Sequence, residues 1–213
     1  MPSLPSPQPL RPGRHQLARE DVERYQRERL LLAMLHSVAE RGYSSTTVAD
    51  VVAGAAVSRT TFYAQFADKE ACFIAAYEFA MHYALTRMSE AAALRPAQSW
   101  RDRVRSELSS YLDALANEPV IATTLHVEVL AAGPQALEHR VELLGQLASR
   151  TADVNELARA ADGSLRELPP AVFALYTGGL DELIRDRLRT GSPEALRELV
   201  EPVLEATYAM FGA

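Results

Sequence analysis

The stretch of sequence that decides the fold is RERLLLAMLHSVAERGYSSTTVADVVAGAAVSRTTFYAQFADKEACFIAAY, residues 27–77. In its first part the apolar residues Leu31, Leu35 and Val38 recur at the spacing of one helix face. Gly42 follows, at the position where a glycine commonly ends a helix. The pattern therefore predicts an amphipathic helix that begins at about residue 21 and ends at residue 41.

Two short helices with a tight turn between them are predicted next. The first begins at Thr46 or Thr47 and the second at Ser58, because hydroxyl side chains are good N-caps. The turn contains Gly54 and Ala56. Two short helices joined in this way are typical of a helix-turn-helix.

The second short helix divides into apolar anchors and polar residues. Val57, Phe62 and Phe66 are suited to close a small three-helix core, and the polar residues between them are predicted to be exposed. A recognition helix needs this division, because one face packs on its domain and the other offers donors to bases and phosphates. The candidate DNA contacts are Thr46, Thr47, Ser58, Arg59, Thr60, Thr61, Tyr63, Gln65 and Lys69.

The same stretch resembles the N-terminal DNA-binding domain of the TetR family. The resemblance rests on Gly42-Tyr43, Thr46-Thr47-Val48, Val57-Ser58, Phe62-Tyr63, Phe66 and Asp68-Lys69-Glu70. It implies a homodimeric repressor that leaves a palindromic operator when a small molecule binds its helical body. Similar sequences place glycine where this chain has Ala56, so that either the turn is altered or Gly54 shares its role.

Each candidate DNA contact has a chemical reason. Threonines and serine at helix N-termini lie beside free N–H groups that favour a phosphate. Tyr63 and Lys69, the only lysine of the chain, suit phosphate oxygens, and the guanidinium of Arg59 suits guanine O6 and N7. Taken one by one, these residues are also ordinary caps and solvated side chains, so only the set as a whole indicates contact with DNA.

Charge and composition divide the chain in two. The net charge is −6, yet residues 1–69 hold nine basic and seven acidic residues. Residues 1–13 hold five of the twelve prolines and no acid, so we expect residues 1–19 to be a disordered tail. Its arginines Arg11, Arg14 and Arg19 either reach into a minor groove or belong to a plain tail. No signal peptide and no long apolar run are apparent, which predicts a cytoplasmic protein.

The remaining sequence reads as helix throughout, including one helix from Pro119 to about residue 131 and a final helix from about residue 194 to Phe211. Together with the first three helices it predicts an all-α fold of about nine helices. The expected domains are the tail at residues 1–19, a helix-turn-helix domain at residues 20–67 and a helical ligand-binding and dimerisation body at residues 68–213.

The body supplies candidates for an effector site and a dimer interface. Apolar walls with a few polar tips are typical of ligand pockets, and the candidates of this kind are Tyr77, Met81, His82, Trp100, Leu108, Tyr111, Leu125, His126 and Tyr176. The apolar stripe of the last helix is too wide for one contact, which suggests packing both on its own body and on a partner. The last two helices are therefore predicted to form a homodimer interface, with core packing inside one chain as the alternative. The candidate interface residues are Phe173, Leu180, Ile184, Leu199, Val203 and Met210.

A helical enzyme or carrier with a merely structural helix-turn-helix is the competing hypothesis. The sequence contains no nucleophile with an adjacent base, no phosphate loop and no paired metal ligands, so we expect neither catalysis nor a metal or cofactor. His126 and Glu128 are two residues apart on a helix and are predicted to face different ways. Repressor and activator are not distinguished by these patterns.

Overall fold

A computed structural model describes residues 19–93 and 99–212 of the chain. This part is all-helical, as the periodicity predicts. Its nine α-helices are α1 (Arg19–Arg41), α2 (Val48–Ala55), α3 (Arg59–Gln65), α4 (Lys69–Ala93), α5 (Trp100–Asn117), α6 (Pro119–His126), α7 (Pro134–Ala161), α8 (Pro170–Thr190) and α9 (Val200–Phe211). Short 3-10 segments at Glu128–Ala131 and Pro193–Leu199 follow α6 and precede α9. Residues 1–18, with Arg11 and Arg14 of the predicted tail, lie outside the described residues.

Helices α1 to α3 form a small head around an apolar core. Leu35 and Val38 of α1, Val51 of α2 and Phe62 of α3 are all fully buried there. Phe66, which ends α3, packs its ring 5.7 Å from that of Phe62. These anchors hold α3 in place through one face and leave its other face free.

The turn between α2 and α3 is made by Ala56. Its φ of 47° and ψ of 49° are left-handed, and it is the one residue other than glycine with a positive φ in the described part of the chain. Gly54 does not share this role: it lies in α2, where a Cβ atom would come 3.3 Å from Cβ of Ala33 in α1. The turn therefore keeps the usual geometry with a residue that favours it less.

Two predicted long helices are each divided in the structure. The predicted helix from Pro119 to residue 131 stops at His126, since Nε of Arg185 donates to the carbonyl of His126 at 2.8 Å. That carbonyl would otherwise accept from Leu130, whose N–H bonds to Val127 instead. The predicted final helix becomes α-helical at Val200, because the ring of Pro202 is tolerated in a first turn but not in a helix interior.

The head rests on a body made of α4 to α9. Helix α1 contacts both α4 and α6, and a continuous apolar core runs from the head through α4 and α5 to α9. Phe73 and Tyr77 of α4 are fully buried in that core. Every helix within the described ranges is too short or too polar to cross a membrane.

Candidate functional site

Thr47, and not Thr46, caps the first helix of the turn. Thr47 accepts a hydrogen bond from the N–H of Asp50, and the Asp50 carboxylate accepts from the N–H of Thr47 at 2.9 Å. The Thr47 hydroxyl also donates to this carboxylate at 2.6 Å, and this hydrogen bond, together with the one from the Thr47 N–H, lowers the pKa of the Asp50 carboxyl. Thr46 is only 1% exposed and its hydroxyl donates to the carbonyl of Gly42 at 2.9 Å. The hydroxyl of Thr46 is therefore enclosed, and its prediction as a DNA contact through that hydroxyl is not supported by this placement.

The polar face of α3 is exposed as the pattern of anchors predicts. Ser58 caps the helix and accepts from the N–H of Thr61 at 3.0 Å. Arg59 and Thr60 are exposed on the first turn, and Tyr63, one turn later, is 56% exposed although it is aromatic. Because residues four apart share one face of a helix, Arg59 and Tyr63 lie side by side. This face, Ser58–Arg59–Thr60–Tyr63, is called the α3 face below.

Two of the candidate DNA contacts are engaged with the protein itself. The ammonium of Lys69 donates to the carbonyls of Tyr43 and Thr46 at 2.9 and 3.0 Å, and it lies 4.1 Å from the ring centre of Tyr43. The amide of half-buried Gln65 reaches the carbonyl of Glu23 at 3.5 Å. Lys69 therefore holds the loop before α2, a role that sequence reasoning missed.

The body contains a cleft between α4, α5, α7, α8 and α9. It encloses about 540 Å³ that no protein atom fills, part of it open to solvent. Its lining side chains are mostly apolar, with two charged ones, and they are Met88, Val104, Glu107, Leu108, Tyr111, Leu147, Arg150, Thr151, Val154, Tyr176, Thr177, Leu180 and Thr207. We call this space the effector cleft. Only about 60 Å³ of this space admits a water-sized molecule, which is less than the roughly 300–1,000 Å³ of small-molecule sites. A ligand of ordinary size would therefore enter only as the walls move apart.

Three of the nine predicted ligand residues line the effector cleft, namely Leu108, Tyr111 and Tyr176. The other six are placed elsewhere, because helix periodicity alone does not tell which apolar face meets a cavity. Tyr77 and Leu125 are core residues, and Met81 and His82 lie partly or fully at the surface. The indole of Trp100 packs at 5.6 Å against the rings of Tyr208 and Phe211.

Behind the wall of the effector cleft lies a buried polar network centred on Asp181. Nδ1 of His126 lies 2.7 Å from Oδ1 of Asp181, and Arg140 and Arg185 bind the other carboxylate oxygen. Burial raises the pKa of Asp181, but the hydrogen bond from His126 and the charge of Arg140 outweigh burial and hold that pKa below its ordinary value. The fifth member is Tyr111, whose hydroxyl lies 3.2 Å from Nε2 of His126. Through Tyr111 the network reaches the effector cleft.

The segment just after α6 contacts the head. The N–H of Tyr43 donates to Oε2 of Glu128 at 2.7 Å, across 85 residues of sequence. His126 thus faces the body and Glu128 faces the head, in agreement with the prediction that the two side chains point different ways. One short segment, residues 126–128, therefore contacts both the Asp181 network and the helix-turn-helix.

The predicted interface residues lie mostly inside the chain. Phe173, Leu180, Ile184, Leu199 and Val203 are each less than 9% exposed, and Met210 is half-buried. They were expected at a dimer surface, but they belong to the stripe that packs α8 and α9 on their own body, and Leu180 lines the effector cleft. The exposed apolar residues of α8 are instead Leu175 and Leu183, at 77% and 46%.

The Asp181 network escaped the sequence analysis, although one signal for it was present. Asp181 stands on the apolar face of α8, between Thr177 and Ile184, where a carboxylate is costly unless it is paired. Its partner arginines are on α7 and α8, and one of them, Arg140, is 41 residues away. A lone acid on an apolar face predicts such partners without telling which they are.

The sequence of the head matches a known protein family. Residues 30–76 match the family model of bacterial regulatory proteins of the tetR family, which is the stretch that carries the capped turn and the α3 face. No curated protein sequence matches the chain.

Solved structures of similar fold come from several bacteria. The fatty acid degradation regulator FadR from Bacillus halodurans has a TM-score of 0.71 at 18% identity, covering 84% of this chain and 96% of its own. FadR from Bacillus subtilis, in complex with stearoyl-CoA, has a TM-score of 0.72 at 19% identity, covering 85% and 97%. A TetR-family transcriptional regulator from Rhodococcus sp. has a TM-score of 0.66 at 24% identity, covering 87% and 98%. At these identities the likeness shows the fold.

The family match and the fold agree with the geometry. The matched residues build the head, and the shared fold extends over head and body together. The family is one of regulators rather than enzymes. Residues 30–76 therefore form a DNA-binding domain of the TetR family, and the chain has the fold of TetR-family transcriptional regulators.

Proposed function

We propose that this protein is a repressor that binds a palindromic operator as a homodimer and leaves it when a small molecule enters the effector cleft. The observation that supports this most is the α3 face. Arg59 and Tyr63 stand exposed side by side on a helix whose opposite residue, Phe62, is fully buried. Such a helix offers donors to DNA while its anchor fixes its direction.

Each residue of the α3 face would make a different contact with the DNA. Arg59 reads a base edge, because its planar guanidinium matches guanine O6 and N7 in the major groove. Tyr63 donates its hydroxyl to a phosphate, and Thr60 contacts a thymine methyl or a backbone oxygen. Thr47 and Ser58 present capped helix N-termini to phosphates, and Thr61 supports Ser58 through a 2.9 Å contact between their hydroxyls.

The rest of the predicted set would act less directly. Lys69 adds positive charge near the backbone while its hydrogen bonds fix the loop before α2. Gln65 stands at the end of α3 and reaches DNA only if it leaves the carbonyl of Glu23. Thr46 contributes through its position in the loop. The predicted domain division at residue 67 fits a head that ends where α4 begins.

The proposed dimer uses the exposed faces of α8 and α9. On α8 small and apolar side chains follow one another along this face, at Ala171, Leu175, Gly179 and Leu183. Small residues let a second helix approach closely, and a two-fold axis would then place two α3 helices one DNA turn apart, about 34–36 Å. A Leu175→Glu variant should be a monomer, and Leu157→Glu on exposed α7 should remain a dimer by light scattering.

Release by a ligand would use the segment that contacts both sites. A ligand that prefers one arrangement of the effector cleft shifts Tyr111 and with it His126, and residues 126–128 carry the shift to Tyr43 in the head. Ligand and DNA then oppose each other by linkage. The fold relative from Bacillus subtilis holds stearoyl-CoA, which supports a small organic effector for this chain as well.

Selection from genomic fragments tests the proposal. The full chain should enrich fragments that share one palindrome, and binding should weaken steeply with salt, as phosphate contacts require. A reporter placed behind the enriched site should be more active when the protein is absent. A reporter that falls in its absence would identify an activator instead, and enrichment without any common site would refute sequence-specific binding.

A further inference from the structure

We propose that the effector cleft binds an amphiphile with an apolar chain and one anionic headgroup, and that the headgroup binds Arg150. This inference rests on the proposed ligand site and names its chemistry. It comes from the polar groups of the cleft, most of which are already engaged within the protein.

The apolar part of the ligand follows from the walls. Val104, Leu108 and Leu180 are each less than 9% exposed although they line a space that no protein atom fills. Apolar walls of this kind gain free energy when a hydrocarbon replaces water against them. The free space between these walls is about 60 Å³, so the inner part of the cleft suits a hydrocarbon chain that enters as the walls move apart.

The hydroxyls along the walls mostly have acceptors already. Thr151 and Thr177 donate to the carbonyls of Leu147 and Phe173, each at 3.0 Å. Thr207 donates in the same way to Val203 at 2.7 Å. These three hydroxyls therefore do not require a polar group of the ligand beside them.

Tyr111 is engaged in the same sense. The Asp181 carboxylate draws the imidazole proton of His126 to Nδ1, so Nε2 accepts from the Tyr111 hydroxyl. Burial raises the pKa of Tyr111, which keeps that hydroxyl protonated. The deep end of the cleft thus offers no spare donor at Tyr111.

Arg150 differs from all of these. Its guanidinium carries five N–H donors, and its hydrogen bond among the described residues is a single one, from Nη2 to Ser89 Oγ at 3.3 Å. No carboxylate of the described ranges forms an ion pair with it, and Glu107, the acid of the same wall, is paired with Arg103 at 2.9 Å. A half-buried cation at the rim of an apolar cleft is complementary to an anionic headgroup.

Isothermal titration of the full chain with three probes of equal chain length tests this assignment. Decanoate, decanol and decylamine differ only in the headgroup. We expect decanoate to bind at least about tenfold more tightly than decanol, as a charge-assisted pair allows, and decylamine to bind most weakly. Equal affinities, a preference for the amine, or no binding of any probe would overturn the proposal.

Variants of α7 supply the control. Arg150→Gln should remove the preference for decanoate over decanol, Arg150→Lys should keep part of it, and Arg159→Gln, outside the cleft on the same helix, should leave it unchanged. A preference that survives in Arg150→Gln would overturn the assignment. Decanoyl-CoA is a further probe for the same titration, because it resembles decanoate in having an apolar chain with an anionic end.

The inference and the proposed function fail in different ways. Decanoate that binds through Arg150 without weakening operator binding would refute ligand-induced release and leave the assignment of the cleft standing. A compound that releases the operator and binds Arg150→Gln as tightly as the parent would support ligand-induced release. The same result would refute the assignment of the headgroup to Arg150.

Discussion

Replacing Ala56 by glycine should stabilise the protein. At φ 47° and ψ 49° Ala56 occupies the left-handed region, which costs an L-residue about 1–2 kcal/mol. Glycine adopts this region freely but has more entropy to lose on folding, about 0.5–1 kcal/mol. The difference is a net gain of about 0.5–1 kcal/mol in the free energy of unfolding for Ala56→Gly.

The same substitution three residues earlier is the matched control. Ala53 is exposed within α2 and has ordinary helical geometry, so Ala53→Gly should cost about 0.5–1 kcal/mol. Both variants are compared with the parent by urea unfolding at one protein concentration, because the proposed dimer would make stability depend on concentration. If Ala56→Gly destabilises as much as Ala53→Gly does, the left-handed turn is refuted.

Further predictions concern the buried network and the contact between head and body. Asp181→Asn should lower the free energy of unfolding by about 3–5 kcal/mol, because it leaves Arg140 and Arg185 without their shared carboxylate; an effect below about 1 kcal/mol would mean that the network is dispensable. Folding lowers the pKa of Asp181, so its charge stabilises the protein fully above the ordinary carboxyl pKa, and this contribution is lost as the pH falls through the lowered value. The free energy of unfolding should therefore fall less steeply towards acid pH in Asp181→Asn than in the parent. Glu128→Ala should lower the free energy of unfolding by about 1.5–3 kcal/mol and weaken the effect of ligand on DNA binding, because the N–H of Tyr43 loses a charged acceptor. Glu128→Gln keeps an acceptor and should cost less. Unchanged coupling in Glu128→Ala, measured by operator titration with and without ligand, would contradict the role of residues 126–128.

The head could be predicted from the sequence almost residue by residue, and the reason is that its signals are local. Gly42 ends α1, Ser58 caps α3, and Phe62 and Phe66 are buried, because caps and anchors act within a few positions of their own helix. The choice between Thr46 and Thr47 was one exception. It depends on which hydroxyl reaches Asp50 and which one turns back to Gly42.

The body could be predicted only as a set of helices. An apolar stripe on α8 is the same pattern whether it meets a second chain or its own core, so Phe173 and Ile184 were assigned to a dimer surface and lie inside. The effector cleft is lined by five helices, and residues such as Arg150 and Thr207 come together there from distant parts of the chain. No periodicity within one helix carries that information.

The central claim is that the α3 face reads DNA, and operator affinity of paired variants tests it most directly. Arg59→Ala should lower the affinity for an enriched operator fragment at least about tenfold, with relaxed preference at one base pair of each half-site. Arg159→Ala, which removes an arginine from α7, should bind as the parent does. If both variants keep the parental affinity and base preference at moderate salt, while unfolding at the parental temperature, the α3 face does not read the operator and the account is wrong.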